Sequence, residues 1–314
     1  MTVSPSFQRI NYALRPAKNV ERKMLADAFH HLARFQPVKD YRYIGLGSVY
    51  FSDFVLFHRV LGITDMLCIE RETGSADRVE FNRPFGCVKI EMSTTAGVLP
   101  TLPWDKRSIV WLDYDSVLTA SALSDVDTVV SRAPSGSVLA VTLNVHPKLL
   151  GDSLDEMRED LGEEILPQRI TPKDFEGWKG AAYYWRVLSE TVRTSLERRN
   201  DGHTDSSPMR FDQLFNFRYQ DSSKMLTLGG LICSEAEVPI RDACGLDRLD
   251  FYRPGPEPFV IDVPKLTFRE IRYLDRRLPS GHPNDGDLHG IPSEDLDRYS
   301  KLYRFFPGFV EAEF

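Results

Sequence analysis

The sequence is poor in the features that would place it outside the ordinary globular classes. No stretch of its 314 residues is a long uninterrupted apolar run, where a membrane helix needs about 20 such residues. The opening thirty residues hold no apolar signal-peptide core. The expectation is therefore a cytoplasmic protein with no membrane partner. Cysteine is scarce: Cys68, Cys87, Cys233 and Cys244 stand far apart with no Cys-x-x-Cys pair, so no metal site is expected and the thiols are read as reduced, at least three of them in core settings. There is no excess of positive charge, with 39 Lys and Arg against 46 Asp and Glu and a net charge of −7. The bulk charge thus argues against a surface that coats nucleic acid and leaves only a local basic groove for that purpose. There is no Gly-x-x-x-x-Gly-Lys-Ser/Thr string, which removes the ATP phosphate cradle. Internal repeats and low-complexity tracts are absent as well.

What is present is enough apolar sequence, 42% of residues, for one large domain or two modest ones. Between residues 20 and 145 short apolar runs alternate with helical periodicity. A helix over roughly Asn19 to Phe35, capped by Asn19, carries Leu25, Ala28, Phe29, Leu32 and Phe35 on one face, and Pro37 stops it. Tyr41-Arg-Tyr-Ile-Gly-Leu-Gly-Ser48 reads as a strand entering a glycine turn, followed by a helix over Ser52 to Leu61. Met66–Ile69 is a continuous apolar run, the pattern of a strand buried on both faces, and Cys87–Glu91, Ser108–Asp113 and Ser137–Asn144 read as three further strands. Five strands with helices between them predict a doubly wound α/β fold with a parallel sheet. After Pro147 the pattern becomes helical and charged, with a capped start at Thr171-Pro-Lys-Asp174 and a long helix from Ala181 to Arg199. An antiparallel hairpin follows, its strands over 211–219 and 225–233 joined by a turn at 220–223. The tail holds a Pro/Gly-rich link at Arg253–Pro258, a capping box at Thr267 and Glu270, a glycine-rich loop from Pro279 to Pro292, and a helix capped by Ser293.

The candidate site comes from what ends each strand. A glycine turn follows the first strand, and acids close the second, third and fourth; in an open parallel sheet these ends line one edge, where ligands bind. Gly45 and Gly47 would let the backbone approach a ligand closely. Glu70, 25 residues beyond Gly45, offers two oxygens at the spacing of a ribose diol; the alternative is a solvated loop charge beside Arg71. Tyr50 occupies the position where a dinucleotide fingerprint needs a small residue, which disfavours a nicotinamide oxidoreductase and points to a ligand with ribose but without phosphates.

This order of elements resembles the class I S-adenosylmethionine-dependent methyltransferases, in Tyr-Ile-Gly-Leu-Gly-Ser for the glycine loop, Cys-Ile-Glu for the ribose acid and Trp-Leu-Asp-Tyr-Asp at the fourth strand. It covers roughly residues 38–146 and 210–234, with the hairpin as the antiparallel pair that completes a mostly parallel seven-stranded sheet. The resemblance implies S-adenosyl-L-methionine as cofactor, with Gly45, Gly47 and Ser48 lining it, Glu70 holding its ribose, Glu91, Met92 and Ser93 flanking the adenine, and Asp113 near the amino-acid end. The chain departs from the family pattern at Val49, where a third glycine is usual, and at Tyr43, where an acid often leads in. Segments 37–146 and 210–262 then form the Rossmann-like core, 147–209 a helical insertion, 263–314 a C-terminal helical extension, and 1–36 an N-terminal helical lid.

Methyl transfer asks a protein for alignment and for water exclusion, and for a base only when the acceptor carries a proton. Asp115, His146 and Tyr114 are the candidates for orienting or deprotonating the acceptor, and Asn144 for contacting it. Asp115 could equally cap the following helix, and His146 could be an ordinary loop histidine. Arg15, Lys18 and Arg22 form either a solvated basic face or a lid whose Arg15 or Lys18 meets the cofactor carboxylate or an anionic acceptor. Trp178, Tyr183, Tyr184 and Trp185 read as core packing or as a wall of the acceptor pocket. Asp113-Tyr-Asp115 lacks the prolines of the Asn/Asp-Pro-Pro-Tyr string of DNA amino-methylating enzymes, so the acceptor expected is an oxygen of a small molecule or protein. Nucleic-acid methylation, an inactive binding or assembly protein of the same fold, and a homodimer stay open.

Overall fold

The computed structural model describes residues 15–201, 207–279 and 288–308. The first fourteen residues of the expected lid and most of the loop expected between Pro279 and Pro292 lie outside these. In chain order the elements are helix α1 (Pro16–His30), β1 (Arg42–Leu46), α2 (Ser52–Leu61), β2 (Asp65–Ile69), α3 (Ala76–Phe81), β3 (Val88–Glu91), α4 (Thr95–Val98), β4 (Ser108–Asp113), α5 (Ala120–Arg132), β5 (Ser137–Asn144), α6 (Pro147–Asp152), α7 (Leu154–Leu161), α8 (Lys179–Asp201), β6 (Met209–Gln220), β7 (Lys224–Ser234), α9 (Val238–Ala243), β8 (Phe259–Ile261), α10 (Phe268–Asp275) and α11 (Ser293–Leu302).

Eight strands form one sheet in the order β3-β2-β1-β4-β5-β7-β6-β8. Strands β1 to β5 run parallel, β7 joins β5 and β6 antiparallel, and β8 adds to the edge parallel to β6. The expected seven strands are thus present and an eighth extends the sheet. That strand was illegible because only three residues separate the Pro/Gly link from Asp262 and Pro264, too short a run for alternation to register.

The two-residue period of the strands divides the core in two. Tyr43, Met66, Cys68, Ile109, Trp111, Val138, Ala140, Phe215 and Phe217 face one side, where Val20, Met24, Leu25 and Phe29 of α1 and Phe54 and Phe57 of α2 meet them. Ile44, Leu67, Ile69, Val110, Leu112, Leu139 and Val141 face the other, against Ala122, Val126 and Val129 of α5 and Ala181, Tyr184, Leu188 and Val192 of α8. The inserted helix α8 therefore covers the sheet with an i, i+3/i+4 stripe. Its aromatics pack as core and anchors: the Tyr184 hydroxyl accepts from Leu118 N (3.1 Å) and Trp185 Nε1 donates to Gln213 Oε1 (2.9 Å).

Several helix starts differ from expectation. Helix α1 begins at Pro16, with proline at its first position, and Asn19 lies within it. Helix α11 takes Pro292 as its cap and Ser293 as its first residue. The capping box of Thr267 and Glu270 forms at the head of α10, and that of Thr171 and Asp174 closes a single 3-10 turn. All four cysteines are free thiols, with Cys68, Cys233 and Cys244 buried and Cys87 half-buried. Among the described residues no helix is long and apolar enough to cross a membrane.

Candidate functional site

Strand order reverses between β1 and β4, so the carboxyl ends of the parallel strands open a crevice there. The glycine turn stands at its centre, but the chain's own side chains account for both glycines. A Cβ on Gly45 would lie 2.6 Å from the Tyr43 hydroxyl, and one on Gly47 would lie 2.7 Å from Glu70 Cβ and 3.0 Å from Glu70 Oε2. Gly45 therefore makes room for the buried Tyr43 ring, which stands where the family pattern often has an acid and whose hydroxyl donates to Asp53. Gly47 lets the turn lie directly against Glu70, and its amide donates to Ile69 O at 2.7 Å. Ser48 Oγ accepts from Tyr50 N (3.2 Å), which tightens the turn. Phe51 then caps α2 in the left-handed conformation with φ 46°, a strained arrangement for an aromatic residue that nothing in the sequence pattern signals.

Glu70 is 8% exposed, so it is not a solvated loop charge. Its Oε1 accepts from Glu72 N (2.8 Å) and its own amide donates to Glu91 O (3.0 Å), tying the ends of β2 and β3 together. Burial pushes its carboxyl up from the ordinary glutamate value. Glu91 points to solvent, while Met92 and Ser93 are half-buried beside it.

Arg15, Lys18 and Arg22 do not form a solvated face: Arg15 and Arg22 are each 6% exposed and Lys18 is fully buried. Helix α1 lies across the ends of β4 and β6, so Lys18 and Arg15 meet acids there. Lys18 Nζ contacts Asp113 Oδ1 at 2.6 Å, Glu21 Oε2 at 2.8 Å and the Tyr219 hydroxyl at 3.1 Å, and it sits 4.4 Å from the Trp111 ring centroid. Glu21 accepts in turn from the Thr227 hydroxyl; Thr227 and Thr142 hydroxyls are 2.7 Å apart, and Trp111 Nε1 donates to Thr142 Oγ1 at 2.9 Å. This buried polar chain ends at Asp113, whose side chain is 25% exposed to the crevice. Arg15 lies 3.9 Å from Asp115 and 3.8 Å from Asp221.

Asp221 is a residue that sequence reasoning missed. It sits in the β6–β7 turn, where aspartate is common, yet its carboxylate takes the amides of Ala17 and Lys18 at 3.0 and 3.1 Å and so caps α1 across 203 residues of chain or more. A carboxylate suits a helix N-terminus because the first amides lack intrahelical partners.

The acceptor candidates separate. Tyr114 donates its hydroxyl to buried Asp125 (2.6 Å), which also receives the Thr95 hydroxyl; burial and the Asp125 charge push the phenol far up. Asp115 is exposed, and the cap of α5 is Thr119, which accepts from Ala122 N at 3.2 Å. Asn144 is buried and braces the crevice wall, with its Oδ1 accepting from His146 N (3.0 Å) and its Nδ2 donating to Asp115 O (3.4 Å). His146 heads α6 and lines a cavity of about 320 Å³ with Lys148, Leu149, Ser222 and Ser223. The structure thus gathers Arg15, Lys18, Asp113, Asp115, Asn144 and His146 at one end of the crevice, and Gly47, Ser48, Glu70 and the 91–93 loop at the other.

Comparison with known proteins places the chain in a family. A curated relative, a component of an ATP-dependent helicase/deoxyribonuclease from Staphylococcus saprophyticus, is 30% identical over 124 residues, 37% of this chain; the chain spans about a tenth of that protein's length. Among solved structures, Trm1 from Pyrococcus horikoshii in complex with S-adenosyl-L-methionine is 11% identical with a TM-score of 0.43, covering 74% of this chain and 57% of that one. An O-methyltransferase family protein from Burkholderia thailandensis is 14% identical with a TM-score of 0.36, covering 68% and 56%. Residues 10–314 match the model of one family over nearly the whole chain, so this chain belongs to the family described as "Putative O-methyltransferase".

Proposed function

We propose that the chain is an S-adenosyl-L-methionine-dependent methyltransferase that works in the cytoplasm and methylates an oxygen of a small-molecule or protein acceptor. The observation that carries this reading is Glu70, a buried carboxylate pressed against the glycine turn at the end of the second strand of a parallel sheet, in a chain whose family is described by O-methylation. Glu70 Oε1 is held by the Glu72 amide, which leaves Oε2 beside Gly47 to accept ribose hydroxyls. Asp113 is held in the same way: Lys18 fixes Oδ1, which leaves Oδ2 to meet the ammonium of the amino-acid end. Gly47 and Ser48 line the turn between these two acids, and Met92 and Ser93 flank the adenine.

When bound, the cofactor supplies a methyl group already activated on a sulfonium. The protein's own task is then to align an acceptor oxygen with that methyl, to exclude water and to receive the hydroxyl proton. His146, which lines a cavity with Lys148, Leu149, Ser222 and Ser223 and donates its amide to Asn144 at the end of β5, is the candidate to take the proton through its ring nitrogen. Asp115, with Arg15 at 3.9 Å, orients the acceptor, and Asn144 holds the loops that carry both groups. Tyr114 is committed to Asp125 and braces the adenine side.

Calorimetric titration with S-adenosylhomocysteine tests the reading, with NAD as control. One-site binding is expected, weakened in Glu70→Ala by roughly 1.5–3 kcal/mol, the scale of hydrogen bonds to a charged group. Absence of binding to ligand-free protein would move the weight to an inactive member of the fold, and unchanged affinity in a folded variant would remove Glu70 from the site.

A further inference from the structure

The cavity beside His146 has a polar lining of one kind. Its walls are His146, Lys148 and Leu149 from the segment after β5 and Ser222 and Ser223 from the β6–β7 turn, around a volume of about 320 Å³, which is at the lower end of small-molecule sites. Four of these five residues end in groups that donate hydrogen bonds: an ammonium, two hydroxyls and an imidazole, which carries at least one N–H in either protonation state. No carboxylate lines the cavity. Among the described residues none of the four side chains has a hydrogen-bond or ion-pair partner, and His146 bonds through its backbone amide.

The neighbouring charges are committed elsewhere. Asp221, next to Ser222, gives its carboxylate to the amides of Ala17 and Lys18 at 3.0 and 3.1 Å and lies 3.8 Å from Arg15, and Asp115 lies 3.9 Å from the same guanidinium. Lys224, which closes the turn, donates to Gly177 O at 3.0 Å. In a chain of net charge −7, the cavity is thus a small pocket of donors and positive charge without a counter-charge. It is also fixed to the sheet edge that carries the crevice. Asp113 pairs with Thr142 across β4 and β5, and Asn144, two residues further on, takes the His146 amide at 3.0 Å and donates to Asp115 O at 3.4 Å. Val145 N donates to Lys224 O at 2.8 Å, which holds the β6–β7 turn against the same strand end.

Resting on the methyltransferase reading above, we propose that the methyl acceptor is a small organic anion, a hydroxyl-bearing molecule whose carboxylate or phosphate group is held in this cavity by Lys148, Ser222 and Ser223. Ammonium and hydroxyl donors satisfy such oxygens through charge-assisted hydrogen bonds, and Leu149, 40% exposed at the cavity wall, offers an apolar surface to the body of the molecule. A cationic acceptor would bring like charge against Lys148, and a neutral one would leave the ammonium without a partner. The acceptor hydroxyl oxygen forms its bond to the methyl carbon as the carbon–sulfur bond breaks with its electron pair left on sulfur, and the hydroxyl proton passes to the His146 ring. The anionic group is unchanged and serves as the handle that orients the acceptor.

The experiment uses the full chain saturated with S-adenosylhomocysteine and compares 4-hydroxybenzoate with 4-hydroxybenzyl alcohol, which keeps the ring and hydroxyl but has no charge, by ligand-observed NMR titration at constant ionic strength. Wild type should bind the acid about 3- to 10-fold more tightly than the alcohol, the scale of one accessible ion pair with its hydrogen bonds. Lys148→Gln should bring the two affinities within about 2-fold of each other by weakening the acid alone. The pair Ser222→Ala, Ser223→Ala should lower the ratio by about 2-fold or more, and Lys265→Gln, an exposed lysine of the C-terminal extension, should leave it unchanged. Inorganic phosphate and acetate are then titrated as competitors: displacement of the acid at lower phosphate concentration supports the assignment with a phosphate handle, and displacement at lower acetate concentration supports it with a carboxylate handle. A wild-type ratio near one, a ratio that Lys148→Gln leaves unchanged, or one that Lys265→Gln lowers as much, overturns the assignment and leaves the cofactor reading intact. If wild type does not bind S-adenosylhomocysteine, the methyltransferase reading fails and the acceptor assignment falls with it, whatever the ratio.

Discussion

Lys18→Met isolates the energetics of the buried polar chain beneath the crevice. The substitution keeps the length and apolar stem of the side chain and removes one ammonium, together with its contacts to Glu21 (2.8 Å), Asp113 (2.6 Å) and the Tyr219 hydroxyl (3.1 Å) and its seat over Trp111. The two acids then differ. Asp113 is 25% exposed and can be solvated from the crevice, so its loss is modest. Glu21 is fully enclosed, and with only the neutral Thr227 and Tyr219 hydroxyls beside it it becomes a buried, uncompensated charge. Breaking such a pair costs about 3–5 kcal/mol, whereas removing both partners together is often close to neutral. Urea unfolding at neutral pH should therefore show Lys18→Met destabilised by about 3–5 kcal/mol, and the double variant Lys18→Met, Glu21→Gln should recover at least half of that. The glutamine can still accept from Thr227, which is why recovery is expected. A single variant that loses less than about 1 kcal/mol, or a double variant no better than the single, would refute the claim that Lys18 exists to neutralise the enclosed acid.

Two further outcomes follow from the crevice walls. Asp125 has its carboxyl raised by burial, against the lowering effect of the Thr95 and Tyr114 hydroxyls; an acid whose folded value lies above its unfolded one binds its proton more tightly when folded, so its contribution to stability falls as pH rises from about 4 through the folded value. Asp125→Asn removes that titration and leaves an oxygen to accept, so its stability relative to wild type should rise between pH 4 and pH 7; a difference that stays constant or moves the other way in urea titrations across that range counts against the assignment. Gly47→Ala should cost about 1–3 kcal/mol by overpacking and should also weaken S-adenosylhomocysteine binding, because the new methyl displaces Glu70. An alanine variant that binds as wild type does would show that Glu70 is placed without help from the turn.

The five parallel strands and the acids that end them were legible because each is a local signal. Met66–Ile69 and Ser108–Asp113 are continuous apolar runs, and Glu70 and Asp113 stand where those runs stop. The reason for the glycines was not legible. Gly45 is explained by the Tyr43 ring two residues earlier on the same strand face, and Gly47 by Glu70 on the next strand, and the second of these depends on a register that only pairing fixes. The left-handed Phe51 and the three-residue β8 carry no composition cue at all.

The cations of α1 were misjudged in one of their two readings for a reason that the sequence does contain. Lys18, Glu21, Leu25 and Phe29 recur at helical spacing, so two charged residues occupy positions on the apolar face. Charges at such positions are either an error in the helix register or a sign that acids and hydroxyls from distant segments cover them. Here the cover comes from Asp113, Tyr219 and Thr227, none of them within ninety residues of Lys18, and Asp221 anchors the helix end over them. Because the same helix carries Lys18 to Asp113, the capping by Asp221 fixes the position of the cation at the crevice. Loosening the β6–β7 turn should accordingly be felt at the crevice, through α1, before it is felt in the sheet.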